Sequence, residues 1–238
     1  MTAGQDVPAG VRTTTPPTAG ATRVVLVRHG EAACNVDGLV GGRRGCTGLT
    51  ALGAAQVDAL AARLARTGEL AGTAALYASV LPRALETARA LAPALDRWRD
   101  GPPLEVAADC GLCELHPGEA DGLRWGEFAA RFGEPDWDED PARPLAPGAE
   151  SWLGFVDRAS GAVERVAAAH PGALVVVACH AGVVEATMLR FLGVPTARLK
   201  LRTGHASLTE WERGVGSGRW RLLRYNDATP VAEEQDRP

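Results

Sequence analysis

The sequence predicts an α/β protein: a three-layer α/β/α sandwich around a largely parallel central sheet. Two apolar runs lead to this. Val24–Val27 and "ALVVVAC" (residues 173–179) are short, β-branched and without polar breaks, as strands covered on both faces are. Amphipathic stretches with apolar residues three and four apart lie between such runs. The alternation of the two patterns suits parallel strands, whose connections need helical crossovers.

Each element follows in order. After the first strand, "TALGAAQVDALAARLAR" places Leu52, Ala55, Gln56, Ala59, Leu60 and Leu64 on one helical face, with Thr50 as N-cap. "AALYAS" (residues 74–79) reads as a second strand. A helix starts at Pro82, a favoured first-turn residue, and runs through "RALETARALAPAL". "PLEVAAD" (residues 103–109) is a third short strand, and Trp125–Phe132 a short helix before a proline- and acid-rich loop. Ser151–His170 is a long helix stopped by Pro171–Gly172. A helix from Gly182 to Leu192 follows the "ALVVVAC" strand. "HASLTEWE" and "RWRLLRYN", joined by "RGVGSG", alternate like an antiparallel pair.

Composition narrows the function. Of 238 residues, 46% are hydrophobic and 23% charged, an ordinary globular balance. The net charge of −4 argues against a nucleic-acid-coating face, and no run reaches the ~20 apolar residues of a membrane span. Five cysteines, an odd number, do not form a disulfide framework, so the cytoplasm is the expected location. Residues 1–21 are expected to be a disordered arm, 22–227 one domain and 228–238 a polar tail.

Three strand ends carry polar groups that a core would reject: Arg28–His29–Gly30, the segment from Ser79 to Arg83, and Cys179–His180–Ala181–Gly182. Ligands bind beyond the carboxyl ends of strands in such sheets. Two imidazoles and two guanidiniums therefore meet on one side. Arginine forks and helix N-termini bind phosphate oxygens, and an oriented imidazole is a competent nucleophile. An arginine in the first turn of a helix, as Arg83 is, opposes the helix dipole and calls for an anion.

"RHGE…N" (Arg28 to Asn35), "GR…LTALGAAQ" (Gly42 to Gln56), "SVLPRALETA", "LCELHPGEADGL", "APGAES" and "CHAG" occur in an order and spacing that resemble the histidine phosphatase superfamily, its phosphoglycerate mutase-like branch. The resemblance runs from about residue 23 to 225. It implies a phosphoglycerate mutase-like fold and a metal-independent phosphatase acting on a small phosphomonoester through a phosphohistidine. His29 would be the nucleophile, Arg28 and Arg83 the phosphoryl clamps, His180 a further donor and Glu114 the general acid and base. Asn35, Arg43 and the Ala181 backbone would contact substrate. No cofactor and no metal are implied. A small phosphorylated metabolite is the expected partner, with no nucleic acid and no membrane; a homodimer stays open.

Two other functions are weighed: a phosphoglycerate mutase-type transferase and an inactive phosphate-binding module. The mutases carry a long basic insertion between acid segment and helix-opening motif. Here Leu123–Glu150 is short and acidic, with Arg124, Arg131 and Arg143 as its cations, which favours water as acceptor. An inactive module is expected to have lost one of the histidines, arginines or the glutamate. "CGLCELH" (Cys110, Cys113, His116) invites a zinc or redox reading, but one CxxC without a second pair is weak evidence. Cys34, Cys46 and Cys179 read as small apolar fillers; the tryptophans admit an aromatic binding surface but read mostly as loop and strand packing. Glu31 is expected to face incoming phosphate and disfavour polyphosphorylated substrates; His205 stands where the family often has asparagine.

Overall fold

The computed structural model describes residues 18–193 and 201–229. Its strands are β1 (Thr22–Arg28), β2 (Thr73–Ala78), β3 (Val106–Ala108), β4 (Leu174–Cys179), β5 (Leu208–Arg213) and β6 (Trp220–Asp227). They form one sheet in the order β3-β2-β4-β1-β5-β6. The pairs β3–β2, β2–β4 and β4–β1 are parallel; β1–β5 and β5–β6 are antiparallel. The helices are α1 (Ala33–Val36), α2 (Ala51–Thr67), α3 (Pro82–Asp96), α4 (Trp125–Phe132), α5 (Trp152–Ala169) and α6 (Ala181–Leu192).

The uninterrupted apolar runs have the burial expected of central strands. Val24 to Val27 and Val175 to Cys179 are wholly buried. Successive side chains point to opposite faces, so one sequence fills two layers. Val24, Leu26, Val175 and Val177 pack with Phe155, Val163 and Val184 of α5 and α6. Val25, Val27, Val176 and Ala178 pack with Leu60, Leu64, Leu91 and Leu95 of α2 and α3. That is the three-layer sandwich.

The helix ends follow their chemistry. Thr50 caps α2 by accepting from the Gly53 amide at 2.9 Å, and Gly68 closes it with φ +62°. Ser151 caps α5 in the same way. The strand expected over 103–109 narrows to Val106–Ala108, because Pro102 and Pro103 offer no amide and Leu104 donates to the Asp96 carboxylate rather than to the sheet. The first residues of "HASLTEWE" turn instead of pairing, with Ala206 at φ +49°. Helix α1 and two single 3₁₀ turns, Cys110–Leu112 and Gly118–Ala120, fall where loops are expected; they are too short to set a period.

Among the described residues no helix is long and apolar enough to cross a membrane. Most of the expected N-terminal arm and C-terminal tail lies outside the described residues. Thr18 lies within them, and its amide and hydroxyl donate to Glu212 of β5 at 2.7 and 2.8 Å.

Candidate active site at the carboxyl end of the sheet

β1, β2 and β4 end side by side, and the groups just past their ends converge. The His29 and His180 rings lie 5.1 Å apart. Between them Arg83, in the first turn of α3, donates from Nε to His29 Nε2 at 3.0 Å and to His180 Nδ1 at 3.2 Å. Its Nη1 is tied to the Gly41 carbonyl at 2.8 Å. Arg28, at the tip of β1, donates to the Thr203 carbonyl and reaches His205 Nε2 at 2.9 Å.

These partners fix the tautomers. His29 Nδ1 is 2.6 Å from the Gly30 carbonyl, which only accepts, so Nδ1 holds the proton and Nε2 keeps a lone pair. His180 Nδ1 accepts from Arg83, so Nε2 carries hydrogen and donates to Ser79 Oγ at 2.8 Å. Burial first, then the Arg83 charge, holds both imidazoles well below the ordinary histidine value. Both are neutral at pH 7. Burial and Arg28 likewise bring His205 down to about 4.

Glu114 leaves the 3₁₀ turn at Cys110–Leu112 and accepts from the Gly182 amide at 3.1 Å. A Cβ on Gly182 would stand 2.1 Å from its Oε1, so only glycine admits this carboxylate to the start of α6. Arg158 braces the segment: it pairs with Glu150 at 2.6 Å and donates to the carbonyls of Gly111, Cys113 and Glu114.

These groups open into a cleft of about 1040 Å³ lined by Arg28, His29, Asn35, Arg83, Glu114 and Ala181. His180, fully buried, does not line the cleft but is joined to it through Arg83. Arg43 lines a smaller adjoining pocket of about 300 Å³, which Glu114 also lines, and its Nη2 rests 3.5 Å from Cys110 Sγ. Asn35, besides lining the cleft, accepts from the Ala32 amide at 3.2 Å.

Two expectations need correction. Glu31 does not face the cleft. It is buried, accepts the Thr50 hydroxyl at 2.8 Å and sits by the N-terminus of α2, where a carboxylate is favoured. Gly53 permits this, because a Cβ there would stand 2.0 Å from the Glu31 carbonyl. The tryptophans divide: Trp211 is core, but Trp125, Trp137 and Trp152 line the cleft, the last two stacked at 5.4 Å. Sequence reading also assigned no task to Ser79, whose hydroxyl orients His180, or to Arg158. Cys34 and Cys179 are buried beside the site, as fillers are.

The His205 environment gives a measurable pH dependence. In the unfolded chain its imidazole protonates below about 6.5; in the fold it does so only near 4. Between those values the unfolded state binds the extra proton, so stability falls as the pH drops through that window. His205→Asn cannot titrate. Its denaturation midpoint therefore falls less steeply from pH 6.5 to 4 than that of the parent; parallel curves in urea titrations count against this assignment.

A cleft at the strand ends that joins paired imidazoles, guanidiniums and a carboxylate defines a phosphoryl-transfer enzyme. The chain belongs to the histidine phosphatase superfamily (branch 1), whose family model matches residues 24–228, and it is a phosphomonoester hydrolase. A metal-independent phosphoserine phosphatase of Arabidopsis thaliana is 33% identical over 181 residues, 74% of this chain and 71% of that protein. A bifunctional protein of Mycobacterium tuberculosis is 35% identical over 161 residues; the match covers 67% of this chain but 41% of that longer relative. The structure of mycobacterial glucosyl-3-phosphoglycerate phosphatase complexed with VO3 superposes with a TM-score of 0.71 at 27% identity, over 87% of this chain and 99% of that one.

Proposed function

We propose that His29 is the nucleophile of a two-step, metal-independent hydrolysis. Its Nε2 lone pair attacks phosphorus, the ester P–O bond breaks, and the Glu114 carboxylic acid gives its proton to the departing alcohol oxygen. The Glu114 carboxylate then takes a proton from water as that water attacks the phosphohistidine. The P–N bond breaks, inorganic phosphate leaves and His29 regains its lone pair. Arg28 and Arg83 hold the phosphoryl oxygens throughout, a fixed positive cage for the charge of the transferring group. The charge of the bound phosphoryl group favours the imidazolium form of His180, which takes a proton from solvent at Nδ1 and then donates it as a hydrogen bond to the same oxygens. Asn35, Arg43 and the Ala181 amide hold the substrate at the rim.

The observation that carries this reading is the hydrogen bond from His29 Nδ1 to Gly30, which leaves Nε2 as a lone pair aimed at the guanidinium of Arg83. The outer cleft suggests the substrate. Glu134, Asp136, Asp138 and Glu185 line it beside Trp125, Phe128, Trp137 and Trp152. Carboxylates repel a second phosphate or a carboxylate on the substrate, and aromatic faces favour an apolar, ring-bearing or cationic group. The substrate is therefore a phosphomonoester of a neutral or cationic alcohol.

Incubated with an aryl phosphate in EDTA, the protein is expected to release inorganic phosphate at the rate seen without chelator. Loss of turnover on chelation overturns the metal-free scheme. Phosphoryl transfer between glycerate isomers without phosphate release marks a mutase instead.

A further inference from the structure

Among the described residues, one group unites three metal-ligating side chains, and it lies outside the phosphoryl cage. Cys110 Sγ is 3.3 Å from Cys113 Sγ and 3.4 Å from His116 Nε2, and all three atoms fall within 4.8 Å of one another. Ideal tetrahedral zinc, with Zn–S near 2.3 Å and Zn–N near 2.0 Å, separates sulfurs by about 3.8 Å and sulfur from nitrogen by about 3.5 Å. The observed spacings need only small adjustment.

The surroundings also suit a metal. Asp109 caps the 3₁₀ turn that carries Cys110, accepting from the Gly111 amide at 2.6 Å. Glu150 Oε1 lies 3.6 Å from His116 Nδ1, on the ring edge opposite the ligating nitrogen, and Glu150 is itself held by Arg158. A carboxylate behind an imidazole is the usual way of orienting a metal-binding histidine. Arg43 approaches Cys110 Sγ and supplies positive charge to a thiolate there. The group lines the 300 Å³ pocket, so a fourth position is open to water or another donor.

We propose that Cys110, Cys113 and His116 bind a thiophilic divalent cation such as Zn²⁺, and that its binding suppresses hydrolysis at the neighbouring cleft. Two connections lead there. Cys113 precedes Glu114, which lines the same pocket, and Arg43 of that pocket touches Cys110 Sγ. Ser79 Oγ donates to Cys113 Sγ at 3.3 Å and accepts from His180, so a change at that sulfur reaches the imidazole that Arg83 joins to His29. On binding, each thiol loses its proton to solvent and forms a sulfur–metal bond. Binding does not depend on the catalytic assignments; suppression rests on the role given to Glu114.

The test uses the full chain, reduced and stripped with EDTA, then freed of chelator. Co²⁺ is expected to give one equivalent of a thiolate-to-metal charge-transfer band that Zn²⁺ displaces, and Zn²⁺ to lower aryl phosphate turnover at least tenfold, reversibly with EDTA. Cys110→Ser and His116→Gln each weaken the cobalt band and the zinc inhibition at least tenfold while keeping the zinc-free rate. Absence of the band, or a band that persists unchanged in Cys110→Ser, overturns the site. Zinc inhibition equal in parent and both variants places the inhibition elsewhere and overturns the coupling. A parent lacking turnover in EDTA yet giving the cobalt band refutes the catalytic scheme and leaves the site standing.

Discussion

Replacement of His29 by alanine lowers phosphomonoester turnover by on the order of 10⁴-fold or more, the scale of losing a covalent nucleophile. The variant keeps Arg28, Arg83, His180 and Glu114, so substrate still binds, and the residual rate is that of water attacking a caged phosphoryl group. What disappears is Nε2, the lone pair that the Gly30 carbonyl secures by claiming the opposite ring proton. The covalent adduct gives an independent readout. A phosphohistidine survives base and is lost in acid, so a base quench of radiolabelled ester should retain label on the parent and none on His29→Ala. Ordinary turnover by the variant, with its circular dichroism unchanged, sinks the nucleophile assignment.

Arg83→Ala is expected to cost about 10³-fold or more in kcat/KM, the range seen when a phosphoryl-clamping arginine is removed. Arg83→Lys restores little of this. A lysine places one compact charge, whereas the guanidinium reaches His29, His180 and the Gly41 carbonyl at once. A second signature separates clamping from a merely structural role. The Arg83 charge depresses the His29 and His180 values, second only to burial. With the charge gone both imidazoles protonate at higher pH, and a protonated His29 has no lone pair to attack with. The acid limb of the kcat/KM profile therefore moves to higher pH in Arg83→Ala. An unmoved limb with a lowered plateau rules out electrostatic control by this residue.

Much of this site was legible in the chain because its groups sit where strands stop. A wholly apolar run such as "ALVVVAC" needs burial on both faces, and polar residues directly after it must lie at the sheet's edge. His180 follows from that reasoning, as do Arg28 and His29. Trp125–Phe132 forms its helix over the expected span, since the Glu127 carboxylate accepts from the Arg124 amide at its start and Phe128 is buried. The short pieces escaped: α1 and the 3₁₀ turn at Cys110–Leu112 hold too few residues for a period to register. Glu31 was misread for a related reason. It neighbours the nucleophile in sequence, and nothing local announces that Thr50, nineteen positions on, takes its carboxylate.

The sequence alone determined the alternation of strands and helices, the three polar strand ends and the residues at them, because burial demands and backbone periodicity are local to each segment. Tertiary structure alone decided which nitrogen of each imidazole bears hydrogen, which tryptophans face the cleft, and that Cys110, Cys113 and His116 close on one point beside Glu114. Those facts depend on atoms contributed by Gly30, Ser79, Arg83 and Glu150, which reach their partners from separate elements. Hydrogen-bond direction and ligand geometry are set to within tenths of an ångström by packing, a precision that residue spacing along a chain does not carry.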